Sequence, residues 1–139
     1  MSAAVRVAAV DLGATSGRIM AGTVSPGGLH LEELHRFPNG AVRAHGALYW
    51  DVLGLHREML AGIRAVAGTG PLHGIGIDSW AVDYGLLDRD GHLLGNPHSH
   101  RDARTDGVAA QVATVVPPAE MYAVTGLQQA GPEQVTTRR

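Results

Sequence analysis

Val5-Arg6-Val7-Ala8-Ala9-Val10-Asp11-Leu12-Gly13-Ala14-Thr15-Ser16-Gly17-Arg18 is the stretch whose reading decides the fold. Its β-branched apolar run, Val5 to Val10, predicts a buried strand ending in Asp11. Leu12 to Gly17 is a tight turn with two glycines, and a second short strand, Arg18 to Val24, leaves it directly. Glycines let backbone N–H groups converge on an anion, and consecutive amides in such a turn form a phosphate nest. Thr15 and Ser16 add uncharged donors, and Asp11 can hold Mg²⁺ directly or through its waters. Arg18 can add charge or pair with an acid. The same residues also satisfy a plain hairpin turn whose Thr and Ser cap their own backbone.

Outward from this hairpin, Ser25-Pro26-Gly27-Gly28 is strong turn chemistry, and Leu29 to Phe37 alternate as a third strand of mixed pattern. Three strands joined by tight turns make an antiparallel meander. Pro38 to Tyr49 is expected as loop. From Asp51 the period changes: Val52, Leu55, Met59, Ile63 and Val66 recur at helical spacing, with Asp51 as N-cap and Gly68 to Pro71 as the stop. Leu72 to Ile77 is another buried strand, and Val82 to Leu87 a further one, closed into a hairpin by Asp88-Arg89-Asp90-Gly91. A helix is expected from near Thr105, carrying Val108, Val112 and Val115, and a last short one over Pro118 to Thr125, ending at Gly126. The order is βββαβ, a hairpin, and two helices. Leu127 to Arg139 has almost no apolar content and is expected to be a disordered tail.

Composition excludes several chemistries. With 139 residues the chain has room for one compact domain or a piece of a larger one. All 11 basic residues are arginine, so there is no Walker A loop, no protein-kinase ATP lysine and no Schiff base. The lack of cysteine removes thiol nucleophiles, disulfides and thiolate metal sites. A net charge of -2 gives no electrostatic footprint for nucleic acid. The apolar run at Met1 to Val10 is too short for a signal peptide or a membrane span, so the expectation is a soluble, cytoplasmic protein.

A second candidate is Gly74-Ile75-Gly76-Ile77-Asp78-Ser79-Trp80-Ala81-Val82-Asp83, polar groups and a Trp at the C-terminal end of a buried strand, where open α/β sheets place ligands. Trp80 can stack on the apolar face of a sugar, and Asp78 and Asp83 can accept hydroxyl hydrogen bonds. Equally, Trp80 can be core and Asp83 a strand-edge residue. A third candidate, His98-Ser99-His100-Arg101-Asp102, has two imidazoles at strand spacing. Without a third ligand group it reads as a loop before a helix, capped by Asp102 or Thr105.

Five stretches together resemble the N-terminal part of the first domain of FGGY-family carbohydrate kinases. They are Val10 to Arg18, His35-Arg36-Phe37-Pro38-Asn39-Gly40, Trp50-Asp51-Val52, Gly74 to Tyr84, and Arg101-Asp102-Ala103-Arg104-Thr105. Asp-Leu-Gly alone would indicate only the wider actin, hexokinase and Hsp70 superfamily. The His-Arg-Phe-x-Asn-Gly and Ile-Asp-x-Trp-x-Val-Asp blocks narrow the resemblance to the branch that acts on L-rhamnulose. It implies an α/β, ribonuclease-H-like ATPase fold of actin/hexokinase/Hsp70 type, here a partial N-terminal domain over residues 1–126. It implies ATP and Mg²⁺, with phosphoryl transfer to L-rhamnulose giving L-rhamnulose 1-phosphate. The turn Ala14, Thr15, Ser16, Gly17 and Arg18 would cradle the phosphates, and Asp11 would sit beside the metal. Ala81 would touch the ketose, with Trp80 and Asp83 shaping that pocket.

Departures from the pattern are local. Ala81 stands where glycine is common, and His100 where an aromatic is common. The family's catalytic aspartate and adenosine loops have no counterpart before residue 139, so the expectation is a fragment without kinase activity of its own. A truncation or frame change near Gln129 would produce the polar tail. Two other readings share the first motif: another FGGY ketose or polyol kinase, and a non-catalytic actin-like nucleotide-binding module.

Overall fold

The computed structural model describes residues 4–128, which fall into two compact units, one ending at Asp102 and one starting at Ala103. In the first unit, β1 (Val5–Leu12), β2 (Ser16–Ser25) and β3 (Gly28–Pro38) form the expected antiparallel meander. Next comes a hairpin of β4 (Ala41–Ala44) and β5 (Ala47–Trp50), then α1 (Val52–Gly68) and β6 (Gly74–Ser79). β6 pairs parallel to β1, giving a four-stranded sheet of order β3-β2-β1-β6. A parallel neighbour needs a long crossover, and α1 supplies it. Asp51 caps α1 as expected, its Oδ1 accepting the Gly54 N–H at 2.9 Å.

One face of the sheet is the core. Ala8, Val10, Ile19, Ala21, Phe37 and Val66 of α1 are buried together, with Leu12, Leu34, Leu55, Met59 and Ile63 packed against them. The mixed pattern of β3 has a local cause. Ile19 pairs with His35 but Met20 with Glu33, so Leu34 is an extra residue in a β-bulge. The bulge switches faces: Leu29 and Leu31 lie on the sheet's open side and are more than half exposed, whereas His35 and Phe37 meet α1. His35 Nε2 and Glu58 Oε2 of α1 are 3.0 Å apart.

Three expectations need correction. The segment expected as loop over Pro38 to Tyr49 contains the β4–β5 hairpin, turned by His45 (φ 48) and Gly46 (φ 82), the left-handed pair of a tight hairpin. Val82 to Leu87 is not a strand. Val82 has φ 73, and only the Leu87–Leu93 bridge remains, closed by Asp88 N–H to His92 O and Leu94 N–H to Leu86 O. Finally, Ala103–Thr105 is a 3₁₀ turn, and the helix following it, α2, is confined to Val108–Ala113, leaving Val115 exposed beyond its end. In that second unit α3 (Pro118–Thr125) ends as expected, with Gly126 left-handed and its N–H on Tyr122 O. Most of the expected tail, residues 129–139, lies outside the described residues. Among the described residues no helix is long and apolar enough to cross a membrane.

Gly62 marks a close approach of α1 to the sheet. A Cβ there would stand 2.5 Å from Cδ1 and 2.8 Å from Cβ of Ile19, which is fully buried. Helix propensity alone would make Gly62→Ala stabilising by about 1 kcal/mol. Overpacking of about 1–3 kcal/mol opposes it. The expected outcome is a net loss of stability and a lower midpoint in urea unfolding; a raised midpoint would contradict this packing.

Candidate functional site

The turn between β1 and β2 is held from inside and from one side. Gly13 N–H donates to Ser16 O at 3.0 Å, closing it. Asn39, just past β3, grips it twice, with Nδ2 donating to Gly13 O at 2.7 Å and N–H to Thr15 O at 3.0 Å. Beneath it, Gly17 is buried against Phe37, and a Cβ at Gly17 would run into that ring. Two donors are left over: the amides of Ala14 and Thr15 have no acceptor among the described residues, and Thr15 is exposed. Free amides over a glycine-floored turn fit an anionic oxygen cluster such as a phosphate chain. Asn39 was visible in the sequence only within the His-Arg-Phe-x-Asn-Gly block.

Asp11 and Arg18 are paired across the same hairpin, with Arg18 Nε and Nη2 both 2.8 Å from Asp11 Oδ2. Both side chains are nearly half exposed. On the other side, register places Asp78 of β6 directly beside Asp11. These groups line an open depression of about 570 Å³, together with Met20, Leu31 and Gly76. Among the described residues Asp11 Oδ1 makes no hydrogen bond, so one carboxylate oxygen is left that can meet a hydrated divalent cation.

The second candidate forms one cluster around one atom. Asp83 Oδ2 accepts from Trp50 Nε1 at 2.7 Å, Trp80 Nε1 at 2.5 Å and His100 Nδ1 at 2.8 Å. The two indoles are tilted against each other with centroids 4.4 Å apart. Trp50 is buried and its backbone N–H donates to Pro97 O. Trp50, Ser79, Trp80, Asp83, Tyr84 and Pro97 line a cleft of about 180 Å³. Ala81 is exposed at the start of this loop. Burial pushes the Asp83 carboxyl up, but the hydrogen bonds from His100, Trp80 and Trp50, with the charge of His100, outweigh it and hold its pKa below the usual aspartate value.

The structure brings Trp80 and Asp83 together as the sequence proposed, and adds Trp50 and His100, which it did not. It separates the third candidate: His98 packs on Tyr49 with centroids 4.4 Å apart, while His100 goes to Asp83. Asp102 Oδ2 accepts the Leu48 N–H at 2.6 Å, fastening β5. Asp88, Asp90 and His92 bring ligand-type atoms within 4.8 Å of one another, all exposed. There Asp88 Oδ1 already serves the turn, accepting the Asp90 and His92 amides.

Curated proteins similar in sequence include the rhamnulokinase of Bacteroides thetaiotaomicron, 45% identical over 121 residues, covering 86% of this chain and 25% of that protein. The rhamnulokinase of Bacillus subtilis is 42% identical over 121 residues, with the same coverage. Over that stretch the segment is similar to the rhamnulokinases. The rhamnulokinase-like chain spans about a quarter of the length of the curated relatives it matches. No family model matches it. Among solved structures, a gluconate kinase from Lactobacillus acidophilus superposes with a TM-score of 0.72 at 14% identity, covering 90% of this chain and 25% of that one. A xylulose kinase from Rhodospirillum rubrum gives 0.68 at 18% identity, covering 84% and 25%. With the β3-β2-β1-β6 sheet, these place the rhamnulokinase-like segment in the ribonuclease-H-like, actin/hexokinase-type ATPase fold.

The lowered pKa of Asp83 sets a direction for acid titration. A depressed carboxyl contributes stability above its unfolded value of about 3.9 and loses it only as pH falls through the lower folded value. Both tryptophans of the chain, Trp50 and Trp80, donate to this carboxylate. Followed by carbon NMR of its side-chain carboxyl, Asp83 is expected to stay ionised from neutrality down through about pH 4 and to titrate only below it. A transition centred above that value would contradict the cluster.

Proposed function

We propose that this chain supplies part of an ATP-dependent rhamnulokinase, which transfers the γ-phosphoryl group of ATP to L-rhamnulose to give L-rhamnulose 1-phosphate. The observation that carries the reading is the 41–45% identity to curated rhamnulokinases. Substrate-specific blocks and the observed site geometry support it. Ala14, Thr15, Ser16 and Gly17 offer amides and hydroxyls to the phosphates, and Arg18 adds positive charge beside them. Mg²⁺ with the nucleotide would neutralise the charge developing on the transferred group. Asp11 is the residue placed to meet it. Trp80 and Asp83 line the cleft assigned to the ketose, with the Trp80 indole offering an apolar face to the sugar ring, and Ala81, which that cleft does not include, is assigned to the sugar by the family resemblance. ATP as co-substrate fits a cytoplasmic setting, with no part for nucleic acid or membrane.

Transfer to a hydroxyl needs a carboxylate to accept its proton. Asp83 is tied to three donors and Asp11 to Arg18, and on the family resemblance we assign the base to a part of the enzyme outside these 139 residues. The purified chain by itself is expected to show no ATP-dependent phosphorylation of L-rhamnulose. A full-length kinase carrying residues 4–126 in place of the matching quarter of the Bacteroides thetaiotaomicron protein is expected to phosphorylate L-rhamnulose in preference to D-xylulose or D-gluconate. In that enzyme Trp80→Ala should raise the KM for the ketose about tenfold. Turnover by the isolated chain, or preference for D-xylulose or D-gluconate, would overturn the assignment.

A further inference from the structure

We propose that Asp83 is a positioning residue, acting through Trp50, Trp80 and His100 to build the ketose wall as one unit. The inference rests on the rhamnulokinase reading above and assigns Trp50 and His100 to the site as well.

Three donors converge on one oxygen. Trp50 closes the β4–β5 hairpin, Trp80 follows β6, and His100 lies on the loop after Pro97, so three separate segments meet at Asp83 Oδ2. Three donors saturate that oxygen and leave it no lone pair for a sugar hydroxyl. An indole has a single donor and no acceptor. Fixing both Nε1–H groups on the same atom therefore fixes both ring planes, 4.4 Å apart and tilted by 41°. His100 completes the stack, its ring 6.0 Å from that of Trp50.

The backbone bears a cost for this arrangement. Val82, immediately before Asp83, has φ 73, a left-handed conformation that β-branched residues rarely adopt. That turn carries the Asp83 carboxylate back onto Trp80, three residues earlier. Strain of this kind persists where surrounding contacts over-determine it, and here those contacts are the three hydrogen bonds on Oδ2. Asp83 is also largely enclosed, with 12% of its side-chain surface exposed, as a carboxylate behind a wall should be.

Two arms test the proposal. In the 139-residue chain both tryptophans belong to the cluster, so fluorescence and near-UV circular dichroism read it directly. Asp83→Ala is expected to red-shift the emission and abolish the indole exciton signal while far-UV circular dichroism stays that of the parent. Asp83→Asn, which keeps an acceptor oxygen, should fall between the two. In full-length Bacteroides thetaiotaomicron rhamnulokinase, the asparagine substitution at the position aligned with Asp83 is expected to raise the KM for L-rhamnulose on the order of tenfold. The KM for ATP should hold, and kcat should stay within about twofold. Unchanged fluorescence in Asp83→Ala would overturn the network. A kcat collapse at constant KM would overturn the positioning role by making this aspartate part of the chemistry, and an unaltered KM would remove it from the sugar site. Failure of the rhamnulokinase reading looks different: the residue 4–126 chimera would not favour L-rhamnulose, whatever the fluorescence of the Asp83 variants.

Discussion

The two-sided pairing of β1 is the constraint on which the site depends. β2 runs antiparallel on one edge and β6 parallel on the other. Because β1 and β6 run the same way, the loops that follow them leave from the same end of the sheet. Leu12 is level with Ser79, so the Gly13–Thr15 turn and the Trp80–Asp83 loop start side by side. Parallel pairing places a phosphate-type turn next to an aromatic cleft with no further adjustment, as open α/β sheets gather ligands at strand C-termini. It also requires α1 as crossover. The buried contact of Val66 with Ala8, Val10, Ile19 and Ala21, along with the close fit of Gly62 over Ile19, secures the register that aligns the two loops.

Much of this was legible in local sequence. The β-branched run at Val5, the turn at Ser25 to Gly28, the helical period from Val52 and the Asp51 cap each rest on neighbours within a few residues, and each is observed. The failures come where a distant partner overrides local preference. Val82 to Leu87 has strand composition, but Asp83 is drawn to Trp50, 33 residues earlier, and Val82 turns left-handed instead of extending. The β4–β5 hairpin was hidden because its strands are four residues long and its turn is His45-Gly46 rather than Asn-Gly. In β3 the alternation looked irregular because a bulge at Leu34 interrupts it, which no pattern within that strand alone reveals.

The same distinction holds within the site. Trp80 and Asp83 stand three residues apart and were found together; Trp50 and His100 reach Asp83 across 33 and 17 residues and were not. Asn39 is 26 residues from Gly13 and holds the turn through its side chain and its backbone. Each of these residues stands in a stretch the sequence singles out, but nothing in that stretch shows the distant partner it serves. Its role is created by the fold that delivers it. The chain has only two tryptophans in 139 residues, and both stand in the family-like blocks whose side chains share Asp83.

Arg18 and Asp11 show why such contacts should be weighed by geometry before stability. Both side chains are nearly half exposed, and a pair of that kind contributes about 0–1 kcal/mol. Holding the hairpin together is not its main effect, since eight registered residue pairs between β1 and β2 already do that. What the pair does is orient. Two guanidinium nitrogens on Asp11 Oδ2 turn the carboxylate so that Oδ1 is left unbonded, and they fix a positive charge one residue beyond Gly17. Across the strand, Asp78 adds a second carboxylate at the same level. Cation, acid and free amides are thus set out along one end of the sheet without a lysine. A chain whose basic residues are all arginine loses nothing by it, because backbone N–H groups can meet an anion while the planar guanidinium fixes the neighbouring acid.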